Sequence, residues 1–294
     1  MQKLCLAVVF FFLASLAQAE PLPVVASFSI LGDMVKQMGG DAVSVRTLVG
    51  SDADTHTYQP TPEDSKALAS AQVIFVNGLS FEGWIDRLIP ASGTKAKVIV
   101  ASQGVTPRRM VDEDKGGKTV ADPHAWQNAV NGRIYVKNIA AALEAALPSS
   151  AAEIRARAAK YDSEIVQADA WVKKEIGVVP KARRKIITSH DAFGYFGAAY
   201  GVTFLAPEGV STEAEPSAAQ MARLVEQVKK EKVKFLFFEN MANKKLIEQI
   251  ARETGAQMGG TLYSDALSAE APTYLEMFRN NVPKLVEAMM RNRK

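Results

Sequence analysis

The chain of 294 residues has one cysteine and three histidines. The cysteine, Cys5, lies in an opening segment that is itself expected to be removed, so the working protein has no disulfide, thiolate ligand or cysteine nucleophile. Charge of either sign is not in excess. With Lys3 gone there are 34 basic against 32 acidic residues, which gives no electrostatic reason to expect a nucleic-acid partner. The basic runs "KARRK" and "VKKEKVK" read as solvated surface. After the opening segment no apolar run is long enough to cross a bilayer, and residues 149–176 contain neither glycine nor proline.

That opening segment is "MQKLCLAVVFFFLASLAQAE". Lys3 supplies a positive start, Leu4 to Ala17 an apolar stretch, and Ala17-Gln18-Ala19 a small-x-small cleavage site, the layout of a secretory signal. Cleavage after Ala19 is expected, and no cysteine follows to take a lipid. The product is then an exported, periplasmic protein that is not a lipoprotein.

Short apolar runs alternate with helical patterns. "LPVVASF", "VSVRTLV", "QVIFVNGL" and "KVIVAS" read as strands of a first set. "KIITS", "VTFLAP", "KFLFFEN" and "GTLYS" form a second set, with helical segments between. Repeated strand–helix alternation predicts α/β architecture with mainly parallel, four-stranded sheets. "TPEDSKALASA" carries a helix start: Thr61 caps, Pro62 takes the first turn, and Asp64 stands where a capping-box acid reaches back. The uninterrupted stretch after Pro148 predicts one helix of about 40 Å at 1.5 Å per residue, a strut between two lobes. The expected division is 1–19 signal, 20–148 first lobe, 149–177 linking helix and 178–294 second lobe. With a stiff strut, motion between lobes is small, and release of any ligand falls to loosening of a loop.

All three histidines fall in predicted loops: His56 in "SDADTHTYQPTP", His124 in "ADPHAWQN" and His190 in "ITSHDAFG". In open α/β sheets, ligands bind beyond the carboxyl ends of the strands, where such loops lie. Asp265 in "TLYSDALS" has the same placement in the second set. Taken singly, each is more often a solvated or core-satisfied side chain, and Asp265 an ordinary turn former. Taken together, two from each lobe give three imidazole nitrogens and a carboxylate, a first shell suited to zinc. Manganese usually prefers more oxygen. No local spacing such as His-x-x-x-His supports the grouping.

The stretches "HTYQPTP", "DPHAW", "SHDAFGYF", "FFEN" and "YSDALS" resemble the cluster A-I solute-binding proteins of bacterial zinc and manganese ABC importers, over essentially the whole mature chain. The resemblance implies two (β/α) lobes joined by one backbone helix, with His56, His124, His190 and Asp265 as metal ligands. It implies Zn2+ as cargo, handed to an inner-membrane ABC permease with a cytoplasmic ATPase, by a monomer that a periplasmic metallochaperone can load. Manganese-type members usually carry Glu where His190 stands, so the resemblance points to the zinc type, with a manganese- or iron-binding member as the alternative.

Two positions depart from the family pattern. Thr55 replaces a usual proline, and "MVDEDKGGKTVAD" replaces a histidine-rich loop. That acidic stretch, with Asp112, Glu113 and Asp114, reads as a mobile solvated loop. Glu239 stands where it can orient a ligand histidine or be a plain strand-end acid. Trp126 is expected to pack beneath the His124 loop. The rival from another class is a zinc hydrolase with Glu239 or Asp191 as general base and water in place of Asp265. A carrier of an organic solute would leave the histidine placement unexplained.

Overall fold

The computed structural model describes residues 20–112, 117–207, 209, 212, 216–242 and 244–292. The expected signal (1–19) and the acids Glu113 and Asp114 lie outside them.

The first lobe opens with β1 (Leu22–Phe28), α1 (Ser29–Gly39), β2 (Val43–Val49), α2 (Pro62–Ser70), β3 (Val73–Val76), α3 (Ile85–Ser92) and β4 (Lys97–Val100). The strands form one parallel sheet in the order β2-β1-β3-β4. β1 and β3 are central and almost wholly apolar because helices cover both faces. α2 begins as its sequence requires: the Thr61 hydroxyl accepts from the Asp64 amide, and the Asp64 carboxylate accepts from the Thr61 amide. The acidic loop itself falls largely outside the described residues, but the stretch around it includes an antiparallel pair, β5 (Arg109–Asp112) with β6 (Lys118–Ala121). Backbone pairing at the base of the hairpin supplies the order that its polar side chains do not signal.

α4 (Ala129–Ala146) leads through Pro148 into α5 (Ala151–Gly177), a helix of 27 residues. Its buried stripe is Ile154, Ala158, Tyr161, Ile165, Val172 and Ile176, spaced at helical period on one face. That stripe packs on α1 and α4 and on the C-terminal helix of the second lobe, α9 (Tyr274–Arg291). Each large apolar side chain buried there contributes about 2 kcal/mol. Arg157 adds a specific tie: Nε and Nη2 donate to the carbonyls of Met38 (2.7 Å) and Gly39 (3.2 Å) at the end of α1.

The second lobe holds β7 (Lys185–Ile187), α6 (Gly194–Tyr200), β8 (Thr203–Leu205), α7 (Ala218–Glu231), β9 (Phe235–Glu239), α8 (Lys244–Thr254) and β10 (Gln257–Leu262), before α9. Its parallel sheet runs β10-β9-β7-β8. β10 starts earlier than "GTLYS" suggests. A register shift between Met258 and Thr261 accommodates Gly259 and Gly260, the latter at φ 103°. One apolar core runs unbroken from the first sheet across α5 into the second lobe, through Phe193, Phe237, Leu262 and Phe278. Among the described residues no helix is long and apolar enough to cross a membrane.

Candidate metal centre

His56, His124, His190 and Asp265 come together between the lobes, all four buried, with one donor atom from each inside a sphere of 4.8 Å mutual distance. Three of them follow parallel strands directly: His56 after β2, His190 after β7 and Asp265 after β10. His124 lies instead between the β5–β6 hairpin and α4, at the start of a short 3-10 turn.

All three imidazoles present Nε2 inward. Asp265 Oδ2 stands 3.1 Å from His190 Nε2, 3.3 Å from His56 Nε2 and 3.5 Å from His124 Nε2, and His56 and His124 Nε2 are 3.4 Å apart. A tetrahedral cation about 2.1 Å from each donor needs donor separations of about 3.4 Å. The three distances from Asp265 and the His56–His124 distance lie close to that spacing, and all four donors lie within 4.8 Å of one another.

The far nitrogen of two imidazoles faces a carboxylate. His124 Nδ1 is 3.0 Å from Asp122 Oδ1, which also accepts the His124 backbone N–H at 3.0 Å. His190 Nδ1 is 2.8 Å from Glu239 Oε2, and Glu239 Oε1 accepts from the amides of Ser189 and His190, each at 3.0 Å. A carboxylate at Nδ1 keeps the proton there and leaves the Nε2 lone pair free for a metal. His56 is held through its backbone: its N–H donates to Asp54 Oδ1 (2.9 Å), and Trp84 Nε1 donates to the Thr55 carbonyl (2.9 Å). Its ring stands edge-on to Phe81.

The electrostatics follow from burial and shared charge. Burial opposes protonation of His124, yet Asp265 and Asp122 outweigh it and push its pKa up to about 9. For His190, burial is again overcome, by Glu239 and then Asp265, and the pKa rises well above the usual imidazole value. Burial dominates at His56 and lowers its pKa. Asp265, although buried, is held well below the ordinary carboxylate range by His124 and His190. One anion thus stands among three imidazoles, and its charge favours the protonated forms of His124 and His190.

Deeper layers fix the loops. Glu82, buried, accepts from Ser27 Oγ and from the amides of Asn77 and Gly78. Asn77 Nδ2 donates to the Pro123 carbonyl at 3.0 Å, and the Tyr135 hydroxyl donates to Asn77 Oδ1 at 2.5 Å. Trp126, fully buried, packs beneath His124 as expected, and its Nε1 also crosses to the Ser264 carbonyl at 2.8 Å, joined by Gln127 Nε2 at 2.7 Å. Asn281 of α9 clamps both backbone groups of Tyr263, two residues before Asp265. Sequence reasoning missed Asp122, Asn77 and Asn281. Only Asp122 left a signal, an acid two residues before a histidine with proline between.

The chain matches the family model described as zinc-uptake complex component A, periplasmic, over residues 24–288. The chain belongs to this family. It is 30% identical to the manganese-binding lipoprotein MntA of Halalkalibacterium halodurans, with 98% of this chain and 99% of the relative covered. To the iron-binding protein YfeA of Yersinia pestis it is 30% identical, covering 92% and 86%. Among solved structures, the periplasmic zinc-binding protein TroA of Treponema pallidum superposes with a TM-score of 0.86 at 30% identity, covering 92% of this chain and all of TroA. The manganese-bound periplasmic metal-binding protein of Candidatus Liberibacter asiaticus gives 0.80 at 32%, covering 90% and 98%.

The two-lobed fold with its linking helix is that of TroA. Family members are extracytoplasmic, metal-binding solute-binding proteins of ABC transporters, working with a membrane permease and an ATPase, and are not enzymes. The hydrolase reading falls with that. Glu239 Oε1 is also committed to the amides of Ser189 and His190, and Oε2 lies against His190 Nδ1. Relatives named as lipoproteins run against the expectation of a chain without lipid.

Proposed function

We propose that this protein is a periplasmic carrier that captures Zn2+ with His56 Nε2, His124 Nε2, His190 Nε2 and one Asp265 oxygen and delivers it to an inner-membrane permease driven by an ATPase. The supporting observation is the convergence of the four donors within 4.8 Å of one another, with Asp265 Oδ2 3.1 to 3.5 Å from all three Nε2 atoms. Three neutral nitrogens and one oxygen suit zinc, and carboxylates behind two of the imidazoles raise their basicity. We read residues 20–148 and 178–294 as the two lobes and 149–177 as their link. We also read the mature chain as starting after Ala19 and working as a monomer.

Manganese is the second reading, and one observation favours it beyond the relatives' names. Asp265 Oδ1 is buried without a hydrogen-bond partner, so it is available as a further oxygen ligand for a cation that prefers oxygen. The deciding experiment is metal content of protein purified without chelator or affinity tag, followed by zinc–manganese competition, with His190→Ala in parallel. Zinc at one per chain, lost in the variant, is expected. Manganese retained against equimolar zinc would overturn the zinc assignment, and intact-mass measurement of the exported chain checks cleavage and lipid together.

A further inference from the structure

β9 supplies no ligand, yet its end touches the loops of three. Glu239 faces His190. The next residue, Asn240, points the other way: its Nδ2 donates to Asp52 Oδ1 at 2.8 Å, and to the carbonyls of Ala266 at 3.2 Å and Leu267 at 3.4 Å. Ala266 and Leu267 immediately follow Asp265. Asp52 lies four residues before His56, on the other lobe.

Asp52 is held in a conformation that L-residues avoid, with φ at 56°. That turn lets it use both of its polar groups across the cleft, since its own N–H donates to the Leu267 carbonyl at 2.9 Å. Backbone strain at a non-glycine residue persists where the surroundings impose it. Here the imposing contacts are the two hydrogen bonds to the other lobe. A parallel contact runs from the same loop, where Thr212 Oγ1 donates to Asp54 Oδ2 while Asp54 Oδ1 holds the His56 amide.

We propose that Asp52 and Asn240 form a cross-lobe latch, positioning residues that fix the His56 loop against the Asp265 loop and so set how long the metal stays bound. The assignment rests on the four-ligand reading above. Its logic is geometric. His56 is the ligand anchored chiefly through its backbone, and Asp265 touches every other ligand. Whatever holds these two loops together sets the escape rate of the cation. The core beneath is continuous, and α5 is unbroken, so opening by lobe rotation would have to disrupt buried packing. The latch lies at the exposed rim, where a docking permease can reach it, and breaking it frees the loops without disturbing that core.

The test uses the full mature chain loaded with zinc, and compares Asn240→Ala, Asp52→Ala, the double variant, and the exchange Asp52→Asn with Asn240→Asp. Off-rates are read by stopped-flow transfer to a chromophoric chelator, and metal-free Tm by calorimetry. Each single alanine is expected to speed zinc loss about tenfold, with one zinc per chain retained and metal-free Tm unchanged. The double variant should be no faster than Asn240→Ala alone, which already removes the Asp52 contact together with the bonds to the Ala266 and Leu267 carbonyls. The exchange should not restore slow release, because a carboxylate at position 240 has no hydrogen to donate to the Ala266 and Leu267 carbonyls it faces. Off-rates equal to the parent, or additive effects in the double variant, would overturn the latch alone. A parent chain that takes up no zinc would overturn the ligand assignment and the latch together.

Discussion

Glu239 Oε2 stands 2.8 Å from His190 Nδ1, while Oε1 of the same carboxylate holds the backbone amides of Ser189 and His190. One buried side chain therefore fixes the path of the loop and sets a carboxylate oxygen beside the imidazole at its tip. The position of Glu239 at the end of β9, beside the strand that carries His190, makes this possible.

Replacing Glu239 by Gln tests the tautomer directly. An amide retains an oxygen for the Ser189 and His190 N–H groups, so the fold should survive. Its NH2 then faces Nδ1, which must become an acceptor, and the proton moves to Nε2, where a metal would bind. Zinc affinity is expected to fall about ten- to hundredfold, measured by chelator competition. Parent-like affinity would show that the carboxylate does not orient the ring.

Asp265→Asn should do more. On the four-ligand proposal, exchanging the carboxylate for a neutral amide removes the charge shared by three imidazoles, so the drop should exceed the roughly hundredfold typical of an outer-shell change. Proton NMR of metal-free protein should show the His124 and His190 pKa values moving down toward 6.5, since Asp265 is a principal cause of their elevation. Unchanged titration would mean that Asp122 and Glu239 alone raise them.

Zinc uptake should release protons at neutral pH. His124 is raised to about 9 and His190 well above the ordinary imidazole value, which favours their protonated forms at pH 7, and metal needs both neutral. Affinity should therefore climb from pH 5 up to about 9, rather than levelling off above the ordinary imidazole value. Calorimetric titration in buffers of different ionisation enthalpy counts the protons, and a count of zero at pH 7 would contradict the raised values. The sign for stability is separate. A raised imidazole pKa stabilises the metal-free fold below about 6.5, and that contribution disappears as pH rises through about 9. The depressed Asp265 contributes above about 4 and its contribution is lost on acidification.

Ile165→Ala in the middle of α5 separates scaffold from site. Ile165 is fully buried in the stripe that joins the lobes, so the cavity should cost about 2–5 kcal/mol in denaturant unfolding. Zinc affinity of the folded protein should stay near the parent value. A large affinity loss would show that the helix transmits strain to the ligands.

Local chemistry made much of this protein readable before any fold was known. The Thr61–Asp64 box, the glycine- and proline-free run of α5 and the alternation of apolar strands with helices depend on neighbours within a few residues, and each appears in the structure. The scarcity of histidine singled out His56, His124 and His190, and strand-end placement added Asp265. What sequence spacing left open was whether side chains separated by 68 and 75 positions share one point, as His56 with His124 and His190 with Asp265 do. The order of strands within each sheet and the packing of α5 against both lobes decide that. The same holds for Asn240 and Asp52, 188 residues apart, and for the β5–β6 hairpin, held by backbone pairing that side-chain pattern did not announce. Composition and periodicity determined which elements form and which residues can bind a cation; only tertiary packing decided their distances, because hydrogen bonds and donor geometry act over about 3 Å and are set by the chain's path.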